Sequence, residues 1–155
     1  MKQIILFYLL CISTNIAFGG VDTVQVYSEA MDQTIPNLVI TPKDYTEQND
    51  ELPVIYLLHG AGGYFSNWFF RVPEIEQYAT DYNIIIVCPD GDKTSWYIDS
   101  PIDSTSQYES YITRELVPAI DQKYRTIKQK NGRAITGLSM GGHGAFYLAF
   151  RHQDI

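Results

Sequence analysis

The sequence has 155 residues, of which 45% are hydrophobic, and carries 11 Lys and Arg against 18 Asp and Glu, a net charge of −7. This is the composition of one globular domain rather than of a disordered or fibrous chain. The acidic balance argues against nucleic acid and against an anionic membrane surface as partners, because both select basic surface.

Residues 1–19 read as a secretory signal peptide. Lys2 is followed by an apolar run from Ile4 to Ile12, then by polar Ser13-Thr14-Asn15 and by Ala17-Phe18-Gly19 as a small-residue cleavage site. The run is too short to span a bilayer, so no membrane anchor is expected and the address is secreted or periplasmic. Cleavage removes Lys2 and no acid, leaving 136 residues with a net charge of −8. Cys88 is then the one remaining cysteine, which rules out an intramolecular disulfide.

In the remainder, residues 20–155, Thr23 to Ser28 alternates and Asn37 to Thr41 is β-rich, predicting two strands. Pro53 to Leu58 and Ile84 to Cys88 are continuous apolar runs, as expected of strands covered on both faces. Pro73 to Tyr82 predicts a helix with Pro73 in its first turn. Ser106 and Glu109 have the spacing of a capping box opening a helix that runs to about Tyr124, with Pro118 expected to kink it or to confine its regular part to one side. Asn131-Gly132 turns the chain into a strand over Ala134 to Thr136. Strands alternating with helices after Pro53 predict an α/β domain with a mostly parallel sheet, helices on both faces, and ligands at the carboxyl ends of the strands.

The chemistry concentrates in Gly137-Leu138-Ser139-Met140-Gly141. G-x-S-x-G between a strand and a helix is the pattern of a nucleophile elbow, a turn so tight that the serine backbone is strained and its hydroxyl is lifted clear. A helix N-cap is the plain structural alternative for such a serine. Two acids beside Gly91, Asp90 and Asp92, lack further ligand spacing and read as a turn rather than a metal site, and no cofactor is called for.

Around this motif the chain resembles the esterase D-like branch of the α/β-hydrolases, which includes feruloyl and acetyl-xylan esterases, S-formylglutathione hydrolases and mycolyltransferases. The matching stretches are Tyr56 to Gly63 followed by Trp68, Pro89-Asp-Gly91 followed by Ser95-Trp-Tyr97 and Asp99-Ser-Pro101, the segment Tyr108 to Asp121, and the elbow itself. The resemblance implies Ser139 as catalytic nucleophile and the backbone N–H groups of Ala61 and Met140 as oxyanion-hole donors, so exchanging either residue for another small or apolar one is expected to change little. Trp68, Trp96 and Tyr97 are candidates for lining the substrate pocket, since aromatics offer broad rigid contact to sugars and phenolic acids.

His59 is expected to fix the oxyanion loop by hydrogen bonding, and neither His143 nor His152 is placed as a catalytic base. In this fold the triad runs serine, acid, histidine along the chain, so the sequence through Ile155 holds neither partner and reads as the N-terminal portion of a single α/β-hydrolase domain. The implied activity is hydrolysis of a small-molecule or polysaccharide ester, acyl or feruloyl, through an acyl-enzyme. An acyltransferase of mycolyltransferase type and a non-catalytic carbohydrate-binding protein are the alternatives.

Overall fold

The computed structural model describes residues 20–155, so the expected signal peptide lies outside the described residues. Five strands form one sheet in the order β1-β2-β4-β3-β5. β1 (Val21–Ser28) and β2 (Gln33–Ile40) make an antiparallel hairpin, and β2 runs antiparallel to β4 (Ile85–Pro89). From there the sheet is parallel: β3 (Val54–Leu58) pairs with β4 on one side and with β5 (Arg133–Gly137) on the other.

The apolar runs explain this arrangement. In β4 every residue is buried, and alternate side chains enter opposite layers: Ile85 and Val87 join the larger core, Ile86 and Cys88 the smaller one. The larger core lies under the helical segment from Tyr108 to Lys123 and under α5 (Met140–Arg151). The smaller lies under α1 (Asn67–Arg71) and α2 (Ile75–Asp81). Burial pushes the Cys88 thiol up to about 12, which leaves it an inert core residue.

Several local expectations change. A short helix, α1, forms where none was predicted, and α2 begins at Ile75, with Pro73 ahead of its first turn. The capping box does not form: the segment α3 (Tyr108–Ser110) has Gln107 at its N-cap without a side-chain bond, and Glu109 turns instead toward α5. The helix continues through a π segment (Tyr111–Leu116), where Val117 N–H bonds Ile112 O, into α4 (Val117–Lys123). The wide turn sits directly before Pro118, whose ring would clash with the i−4 carbonyl of a regular α-helix and whose missing N–H leaves one rung of the ladder open. β5 lies at the sheet edge, and α5 beside it exposes the stacked rings of Phe146 and Phe150.

Candidate active site

β5 ends at Gly137 and α5 begins at Met140, so the chain reverses from strand to helix within two residues. The reversal is possible because two positions lack a side chain: a Cβ on Gly137 would lie 2.6 Å from Gly141 C, and one on Gly141 would lie 2.7 Å from His59 O. Ser139 takes φ 55° and ψ −116°, a region L-residues rarely occupy, at a cost of about 1–3 kcal/mol. Its side chain makes no capping bond to α5 and the residue is exposed. The hydroxyl is therefore free for chemistry, and the N-cap alternative does not account for it.

The loop after β3 closes on the same point. A Cβ on Gly60 would meet Leu138 O at 3.2 Å and Ser139 Cβ at 3.6 Å, so this loop packs directly on the elbow. Ala61 follows at an exposed position, and Met140 opens α5, where the first backbone N–H groups have no intrahelical acceptor. Both N–H groups sit on segments that converge at Ser139, as an oxyanion hole requires. The Met140 side chain itself is fully buried in the larger core, so packing narrows the expected tolerance to apolar residues of similar size.

His59 is 2% exposed and locks this loop to the one after β4. Gly91 N–H donates to Nε2 at 2.9 Å, so Nε2 carries the lone pair and Nδ1 carries the hydrogen, which it donates to Gly60 O at 2.9 Å. Asp90 accepts from the backbone N–H groups of Asp92 and Phe65, which gives this turn its shape.

The three aromatic candidates separate. Trp96 is 47% exposed, with φ 55°. Its carbonyl lies 3.1 Å from His143 Nδ1, and its ring meets that imidazole edge-on at 5.3 Å. The His143 backbone N–H donates to Ser139 O at 3.0 Å in the first turn of α5, so the indole that meets this imidazole lies against that turn. Tyr97 is fully buried and offers no surface to a substrate, a correction to its place among the pocket-lining residues. Trp68 is partly buried, packs against the smaller core and donates from Nε1 to Leu58 O at 3.1 Å, which makes it a support for β3.

None of the three histidines bonds Ser139 through its ring among the described residues. His152 does meet a carboxylate, Glu109 Oε1, at 2.8 Å, but it caps the far end of a twelve-residue helix, about 18 Å along the axis from the elbow. Burial opposes the charge on Glu109, and hydrogen bonds from Arg151, His152 and Tyr147 outweigh it and hold the carboxyl below its ordinary range.

Sequence reasoning passed over Gly144, although the signal was present. Gly141, Gly142 and Gly144 crowd the first turns of one helix, where each costs about 1 kcal/mol relative to alanine. That density marks close approach, and the approaching groups are Leu58 and His59 for Gly141 and Tyr97 for Gly144.

Comparison with known proteins agrees with this geometry. A family model described as "Putative esterase" matches residues 28–155. An esterase of Mycobacterium tuberculosis strain H37Rv is 35% identical over 117 residues, covering 74% of this chain and 25% of that protein. Among solved structures, a ferulic acid esterase superposes with a TM-score of 0.78 at 31% identity, over 89% of this chain and 57% of the other. An S-formylglutathione hydrolase from Agrobacterium tumefaciens gives a TM-score of 0.75 at 26% identity, over 92% and 57%. The fold is thus that of the α/β-hydrolases, and the chain spans about a quarter of the mycobacterial esterase and just over half of the two solved structures.

Proposed function

The chain belongs to the Esterase family, and from that premise we propose that it is the nucleophile-bearing part of a serine carboxylic ester hydrolase. One observation carries the proposal: Ser139 stands at a strained turn with an exposed, uncapped hydroxyl, against a loop that can aim a second backbone donor at the same point. Ser139 Oγ attacks the ester carbonyl carbon, and the carbonyl oxygen, now negative, accepts from Ala61 and Met140 N–H. Collapse of this intermediate breaks the bond to the alcohol oxygen, and the alcohol leaves with the serine proton. Water then adds to the acyl-enzyme, releasing the acid and restoring Ser139.

Proton transfer needs a base, and the described histidines are engaged elsewhere. In this reading the acid and histidine of the triad come from outside residues 20–155. Acyl or feruloyl esters of polysaccharide are the proposed substrates, supported by the likeness to a ferulic acid esterase and by the exposed Trp96 indole beside the elbow. Export is proposed from the apolar run between Lys2 and Ala17.

The test is ester hydrolysis and covalent labelling by a fluorophosphonate, with Ser139→Ala alongside, in the intact protein. Activity and label that both vanish in Ser139→Ala support the reading. Hydrolysis that survives the substitution, or none in the wild type, overturns it.

A further inference from the structure

We infer that Tyr97 is a positioning residue that sets the spacing between the two oxyanion donors, an inference that rests on the esterase reading above. Tyr97 contacts both elements that carry those donors and is itself fully buried, out of a substrate's reach. On one side its hydroxyl donates to His59 O at 3.2 Å, two residues before Ala61, and its ring stands 5.8 Å from the His59 imidazole. On the other side it presses on α5: a Cβ on Gly144 would come within 2.5 Å of Tyr97 Cδ2. A Cβ on Gly91 would lie 2.6 Å from the hydroxyl oxygen, so the ring occupies a slot that glycine keeps open at both ends.

The loop is bent to put the ring there. Trp96 and Tyr97 both hold positive φ, 55° and 58°, a left-handed conformation that non-glycine residues adopt at a cost. Ser95 Oγ secures the bend by accepting from Tyr97 N–H at 3.1 Å and donating to Gly91 O. His59 O, the acceptor of the Tyr97 hydroxyl, is also the atom that Gly141 approaches. One phenol thus spans from the loop of Ala61 to the helix of Met140.

An oxyanion hole works only when its donors stand about 2.7–3.1 Å from one oxygen, and a displacement of about 1 Å can cost 100-fold in rate. Nothing in this role needs the phenol's acidity, and burial raises its pKa in any case.

Tyr97→Phe tests the inference because it keeps the ring in its slot and removes only the bond to His59 O. We expect kcat on a small activated ester to fall about tenfold with KM within about twofold, and fluorophosphonate labelling to slow in parallel. Amide hydrogen exchange is expected to quicken in residues 59–63 and 140–144 while β3 and β4 stay protected. Gly144→Ala pushes on the same ring from the other side and should slow kcat likewise, although alanine favours the helix. Wild-type kcat and exchange in both variants would overturn the inference. Should the wild type hydrolyse no ester, the esterase reading falls and takes the oxyanion role with it, whereas an active wild type with unchanged kcat and exchange in both variants overturns the inference alone.

Discussion

A Cβ on Gly137 would stand 2.6 Å from the carbonyl oxygen of Leu58, its register partner on the neighbouring strand. The carbonyl belongs to backbone in the sheet and cannot swing aside. Gly137→Ala should therefore lower stability by about 1–3 kcal/mol, the usual range for overpacking a rigid site. Urea unfolding measures it, and an unchanged midpoint would show that the strands have room to part.

Ser139 holds a strained backbone at the turn from β5 into α5. Its φ of 55° is uncomfortable for serine and alanine alike but not for glycine. Ser139→Gly should raise stability by about 1 kcal/mol over Ser139→Ala while both lose fluorophosphonate labelling. Equal melting temperatures in the two variants would remove the claim of strain.

Glu109 ties the start of its helix to the end of α5 through Tyr147, Arg151 and His152. Its carboxyl titrates below the ordinary range in the folded chain, so its contribution is complete above the unfolded value of about 4.3 and is lost as pH falls through the folded value. Glu109→Gln should cost about 1–3 kcal/mol at pH 7, and the gap to the wild type should narrow as pH falls below the unfolded value and close as the folded carboxyl is protonated. The Arg151 bond is solvent-screened, with that side chain 56% exposed, so added salt should reduce the gap only in part. Parallel stability curves across this pH range would contradict the account.

Trp96 stands exposed beside the elbow with its ring edge-on to His143. Trp96→Ala should raise KM for a bulky aromatic ester about tenfold and leave a small acetyl ester within about twofold, since a lost stacking contact is worth about 1–2 kcal/mol. Equal effects on the two esters would show that the indole supports the fold and not the substrate.

The elbow was legible in the sequence because its strain admits glycine alone at fixed offsets from the serine, so geometry is written directly into composition at 137, 139 and 141. The strands were legible for a related reason: burial on both faces leaves no polar residue in Ile85–Val87. What stayed hidden depends on partners distant in the chain. Glu109 has capping-box spacing with Ser106, yet it bonds residues 38 to 43 positions away. Tyr97 and Trp96 are adjacent aromatics that both hold positive φ, and one is buried while the other is exposed. Their directions follow from a bend fixed by Ser95 and Gly91, which no local pattern records.

His59 bears on how the site stays selective about protons. With Nε2 filled by one backbone donor and Nδ1 spent on one backbone acceptor, the imidazole has no open valence facing the serine. The most basic side chain on the oxyanion loop is thereby turned into a peptide-like crosslink. In the proposed esterase mechanism, a base acting on Ser139 would meet no competitor at this imidazole, which holds two loops together instead.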